Sequence, residues 1–167
     1  MIAKVTNVDS SGAPMADRRG VLSVRKTYGD LGALVRQSYV DTDEQPILGA
    51  EQVATFTYRH DARGNQIERR CFDQREQPTL HKDGYFRAEW TYAPNGAESG
   101  ARYFDRDEKP TLIREGYAGY RSEHDDLGRT VRQTYLGTDE QPTITKTGYA
   151  GWAVVLDKNG NGIDYSR

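Results

Sequence analysis

The sequence predicts an all-β protein: an open tandem array of antiparallel β-hairpins, either a curved single-layer ribbon or a solenoid, with a 32-residue period. Three observations predict it. Pro14, Pro46, Pro78, Pro110 and Pro142 recur every 32 residues. Gly32, Gly64, Gly96, Gly128 and Gly160 keep the same phase, as do Gly20, Gly84, Gly116 and Gly148, with Gln52 in the one gap. Between these markers, aromatic and β-branched side chains alternate with polar ones, the period of a strand with one covered face.

The markers define a single array over 1–167, with a partial unit 1–19, full units 20–51, 52–83, 84–115 and 116–147, and a partial unit 148–167. Five periods plus a surplus strand do not make a whole number of units. An open array, of the kind cut from a longer one, is therefore expected rather than a closed ring.

Within a unit, the first strand carries Val24, Lys26 and Tyr28, then Phe56, Tyr58 and His60, then Ala88, Trp90 and Tyr92, then Tyr120, Ser122 and His124. A loop such as Asp61 to Gly64 or Asp125 to Gly128 follows. Asp bonds the backbone ahead of it, and Gly tolerates the left-handed conformation. Read as a four-residue loop, it sets Tyr58 opposite Ile67, Ala54 opposite Cys71 and Phe86 opposite Tyr103. The second strand covers Leu34 to Val40, Gln66 to Phe72, Ala101 to Phe104 and Thr130 to Leu136. The acidic-Gln-Pro segment then turns the chain, because Pro fixes its own φ and extends its predecessor. Ile47-Leu48, Thr79-Leu80, Thr111-Leu112 and Thr143-Ile144 are expected to form a short third strand or an apolar tuck. A lone hairpin is marginal, so stacked neighbours must supply the burial.

Composition restricts function. Only 29 residues are Leu, Ile, Val or Phe, so the 11 Tyr and 2 Trp must carry much of the core. With 23 basic and 25 acidic residues, the chain has no electrostatic footprint for nucleic acid or an anionic membrane. The longest apolar run, Trp152 to Leu156, is far too short to span a bilayer, so no membrane insertion is expected. Residues 1–20 lack a signal-peptide pattern, so any export signal would lie outside this chain. Cys71 stands alone at a position held by Tyr39, Tyr103 and Tyr135, and reads as a filler rather than a nucleophile.

The stretch Gly116-Tyr117-Ala118, Asp125 to Arg129 and Gln133-Thr134-Tyr135 resembles the YD repeats of RHS-type bacterial proteins. It is closer still to their 32-residue variety with GYA, YDxxGN and YxDxxGxP markers. The resemblance covers essentially the whole chain and implies a curved antiparallel ribbon or shell in a bacterial surface, secreted or multidomain protein. It implies no catalytic site. This chain has too few units to enclose cargo. A weaker resemblance, to Trp-Gly-type repeats, rests on Gly151-Trp152 alone.

Four groups of residues are weighed as sites. His60 and His124 share a position with Tyr28, Tyr92 and Leu156, an interchange that fits an aromatic-sized filler and not a catalyst or ligand. Asp157, Asn159, Asn161 and Asp164 imitate the start of a calcium loop, but in the repeat frame they form a hairpin turn, and the turn reading is preferred. The acidic-Gln-Pro turns read as solvated corners. Tyr85, Tyr117, Tyr149 and Trp152 are the candidates for a binding surface, where regularly spaced rings stack on sugars or dock a chain; the competing reading makes them core. The expected function is therefore a non-catalytic structural or protein-interaction module without cofactor or metal. Its partner would be a protein or neighbouring repeats. The alternative is a carbohydrate-binding surface built on a Tyr/Trp ladder, and a third reading is an enzyme fragment completed by residues elsewhere.

Overall fold

The computed structural model describes residues 1–163. It is all-β and contains no helix among those residues. Ten strands form one antiparallel sheet in chain order: β1 (Ile2–Thr6), β2 (Ser23–Tyr28), β3 (Leu34–Val40), β4 (Thr55–His60), β5 (Gln66–Phe72), β6 (Arg87–Tyr92), β7 (Glu98–Phe104), β8 (Gly119–His124), β9 (Thr130–Leu136) and β10 (Gly151–Ala153). β11 (Val155–Leu156) and β12 (Gly162–Ile163) make a separate two-stranded hairpin. The sheet is open: β1 and β10 do not pair with each other. From β2 to β9 the strand starts advance by 32 residues per hairpin, as the marker spacing requires.

Every turn in the unit reuses one device. In the β4–β5 loop, the Asp61 N–H donates to the Asn65 carbonyl and the Gly64 N–H donates back to the Asp61 carbonyl. Asp61 Oδ1 accepts from the backbone N–H groups of Arg63 and Asn65, both at 2.9 Å. Gly64 takes φ 86°, the left-handed value expected from the sequence. The loop proper is three residues, however, not four. Beyond it, Ile67 is an extra residue on β5, because His60 faces Gln66 while Arg59 faces Glu68. That bulge moves the ladder on, so Phe56 opposes Cys71, Tyr58 opposes Arg69 and Ala88 opposes Tyr103. The four-residue reading was two positions out. An error of two keeps each side chain on its face, so the division between faces is unaffected.

Hairpins join through short seams. β3 meets β4 through Arg36/Thr57, Gln37/Phe56 and Ser38/Thr55, and the same three-pair seam recurs between β5 and β6 and between β7 and β8. The intervening connector makes two more turns of the same kind. Pro46, Pro78, Pro110 and Pro142 bridge back to Val40, Phe72, Phe104 and Leu136. No third strand forms there. Leu80, Leu112 and Ile144 lie exposed, and the residues that tuck under are the next in sequence, His81, Ile113 and Thr145. The reason is the turn that starts at each of these residues, which swings their side chains beneath the connector.

The connectors fold over one face of the sheet, and the core lies between. Val53, Phe56, Cys71, Tyr85, Phe86, Ala88 and Ile113 form it, flanked by half-buried Tyr39, Tyr58, Phe72, Trp90, Tyr103 and Tyr117. Cys71 is fully buried there, and burial pushes its thiol up to about 12, so it fills space without nucleophilic character.

The connector turns place non-glycine residues in left-handed backbone: Glu44, Glu76, Glu108 and Glu140 at φ near 60°, and Gln52 at φ 64°. For an L-residue this costs about 1–2 kcal/mol. Gln52 is exposed and its repeat equivalents are glycines, so its side chain returns nothing visible. Gln52→Gly should therefore stabilise the protein by about 1 kcal/mol and raise Tm by roughly 2–4 °C in calorimetry. Glu108→Gly relieves the same strain but loses two arginine contacts, and should gain less.

Candidate interaction surfaces

The pleat divides the sheet into two unlike faces. Residues opposed across the ladders share a side, which places Phe56, Tyr58, Arg69, Cys71, Ala88, Trp90, Tyr103, Tyr120 and Tyr135 together. The other side carries Lys4, Arg25, Arg36, Arg59, Glu68, Arg70, Arg87, Glu89 and Arg102.

On the aromatic face the rings form a chain through the core. Phe56 packs edge-on to Tyr39 (6.5 Å between centroids) and tilted against His81 (6.4 Å); His81 stacks on Tyr85 (4.7 Å). Tyr85 continues to Tyr103 (5.2 Å), Tyr103 to Tyr117 (6.1 Å), and Tyr117 to Tyr135 (4.7 Å). From Tyr85 to Tyr135 connector rings alternate with strand rings. Tyr85 is 3 % exposed and Tyr117 half-buried, so both belong to this chain; Tyr149, 66 % exposed, and Trp152, 42 % exposed, face solvent. Trp152 Nε1 donates to Gln133 Oε1 at 2.9 Å. The four sequence candidates therefore do not form one surface. His81 is buried, accepts the Asp83 N–H on Nδ1 (3.1 Å), and is pushed down in pKa by burial and by the charge of Arg69. It is a core ring that supplies the turn acceptor which Asp61 and Asp73 supply in the two preceding turns.

Arg69 is a cation set among the rings of this layer, which the sequence pattern does not reveal. Its guanidinium lies 5.1 Å from the Phe56 ring centre, 5.6 Å from Tyr85 and 5.7 Å from Trp90, and it contacts the Tyr85 hydroxyl. Cation–π attraction offsets part of its desolvation.

The ionic face was equally unforeseen. Each left-handed Glu of an acidic-Gln-Pro turn reaches a basic side chain of the preceding unit: Glu44 to Lys4, Glu76 to Arg36, Glu108 to Arg70 (2.8 Å) and Glu140 to Arg102 (2.8 Å). Glu44 also meets Arg25, and Glu108 meets Arg87, in its own unit. These corners are ion-paired staples between units. The sequence held part of the signal: the Glu recurs with the period, while its basic partner shifts by two, from the position of Lys4 and Arg36 to that of Arg70 and Arg102. Exposed pairs contribute about 0–1 kcal/mol each, no more than the strained Glu backbone costs, so they act on alignment more than on stability.

Glu68 differs because it is buried, with Arg70 Nε at 3.0 Å and Arg59 and Arg87 close by. Burial works to raise its pKa, but the Arg70 hydrogen bond and the three guanidinium charges outweigh this and hold it below the usual glutamate value.

Asp157 Oδ1 accepts the N–H groups of Asn159 (2.8 Å) and Asn161 (2.9 Å), and Oδ2 accepts Asn161 Nδ2 (3.0 Å). The segment is drawn as the repeat's hairpin turn; Asp164 lies outside the described residues. Among the described residues, no group of three or more His, Cys, Asp or Glu is placed to hold a metal ion.

The chain matches no family model and no curated protein sequence.

A depressed carboxylate stabilises the fold above its unfolded pKa and loses that contribution as pH falls through the folded value. Tm should therefore decline on acidification below about pH 4.5. Glu68→Gln should flatten this decline while lowering Tm at pH 7; an acid slope identical to wild type in calorimetry would show that Glu68 does not contribute.

Proposed function

We propose that this chain is a non-catalytic repeat module, a stiff ribbon that presents a periodic surface to a protein partner or to neighbouring repeats. The observation that carries this reading is the reuse of one seam and one set of turns from unit to unit, each corner Glu pairing with a basic side chain of the preceding unit. Such a chain holds its surface groups at fixed spacing, and nearest-neighbour coupling sets its stability. We assign it to the YD/RHS-like class of bacterial surface or secreted repeats on the markers quoted above. No helix among the described residues is long and apolar enough to cross a membrane.

A carbohydrate-binding reading is favoured by one observation, the exposure of Tyr149 and Trp152 at the β10 end of the sheet. Stacking on a sugar needs solvent-exposed rings, and both of these are exposed.

Excising 84–115, one complete unit, leaves a β5–β8 seam equivalent to those it replaces. The shortened chain should keep its β-type circular dichroism and melt several degrees lower; collapse to a disordered spectrum would contradict the modular reading. Titration of the full chain with oligosaccharides separates the two functions. The interaction reading expects unchanged tryptophan emission, whereas a saturable shift lost in Trp152→Ala would replace it with the sugar reading.

A further inference from the structure

The seam between β3 and β4 ends at the Arg36/Thr57 pair, and beyond it the tips of the first two full hairpins diverge. The space between them is a cleft of about 610 Å³, lined by Gly29, Leu31, Ala33, Val35, Tyr58 and His60 among others. This lies within the usual range for small-molecule sites, and its walls are mainly apolar.

The next unit shows what such a gap accepts. Between β5 and β6, the Tyr92 hydroxyl crosses the opening and donates to the Gln66 carbonyl at 2.8 Å. His60 occupies the repeat position of Tyr92, and Leu34 that of Gln66. The shorter imidazole makes no equivalent bond. Its Nδ1 is sheltered from solvent without a partner, and among the described residues no side-chain donor reaches the Leu34 carbonyl. The first gap is thus the second gap with its phenol removed.

We propose that this cleft binds a phenolic ring. The ring lies between Val35 and Tyr58, and its hydroxyl donates to the Leu34 carbonyl as that of Tyr92 does to Gln66. The source is either a free phenolic compound or a tyrosine side chain of another polypeptide. The inference is independent of the scaffold reading, because it rests on one gap and not on the array.

The test is a ¹H–¹⁵N titration of the full chain with p-cresol. Saturable shifts confined to residues 29–35 and 58–64 are expected, with Kd on the order of 1 mM for so small a ligand. Toluene, which lacks the hydroxyl, should bind at least about fivefold more weakly, since the acceptor is left unpaired. His60→Tyr fills the gap from within and should abolish the saturable shifts; it is compatible with folding because Tyr92 holds the same position. His60→Phe, a second plug, should do the same. Absence of saturable shifts, equal binding of toluene, or binding that survives both substitutions would overturn the site. Tighter binding of an acetyl-Gly-Tyr-Gly-amide peptide than of p-cresol assigns the ring to a polypeptide, and the reverse assigns it to a free phenol.

Discussion

A β-hairpin of six paired residues leaves the outer backbone edge of both strands unsatisfied and has one apolar face open to water. Everything else in this molecule follows from how the next hairpin relieves both. The seam contributes only three residue pairs, half the number within a hairpin. What makes it sufficient is the connector, which closes the seam with the Tyr39 to Ala54 backbone bond and then turns back over the sheet. The ring chain from Phe56 to Tyr135 is the packing consequence. Contacts within a unit (Phe56–His81, Tyr85–Tyr103, Tyr117–Tyr135) alternate with contacts across a unit boundary (Tyr39–Phe56, His81–Tyr85, Tyr103–Tyr117), so each unit's burial is completed by its neighbours.

The periodicity of Pro and Gly was enough to read the architecture, because turns demand those residues for backbone reasons that tertiary context does not alter. Most strand limits followed from the same markers, but β7 begins at Glu98, three residues before the expected Ala101. The register did not follow, for a physical reason. Alternation determines which face a residue takes but is blind to a shift of two, and only the turn hydrogen bonds and the bulge settle it. The bulged positions Val35, Ile67, Ser99 and Val131 share no residue type that would betray them.

The candidate surface was half legible. Tyr85, Tyr117 and Tyr149 are equivalent in sequence, and their different exposures depend on what covers them: Tyr85 and Tyr117 pack against Tyr103 and Tyr135, while Tyr149 stands open. The covering ring comes from the second strand of the same unit, and the position equivalent to it for Tyr149 is Arg167, outside the described residues. The ionic face was hidden for a related reason. A Glu and an Arg about forty residues apart become neighbours only once each connector turn projects back toward the preceding hairpin, and the charge balance of the whole chain conceals the sorting of charges onto one side. His60 shows the reverse case. Its interchange with tyrosine is visible in the sequence, yet the gap it leaves appears only when the two hairpin tips are seen to diverge.

If the seams hold the molecule together, their amides must be as hard to open as those inside the hairpins. Native-state hydrogen exchange measures this directly at Tyr39, Cys71 and Tyr103, whose N–H groups donate across successive seams to Ala54, Phe86 and Ala118. The account predicts that these amides exchange only with global unfolding, at free energies equal to those of the interior amides of β4, β5 and β6. Seam amides that exchange orders of magnitude faster than hairpin amides would mean independent hairpins on a string, and would contradict it.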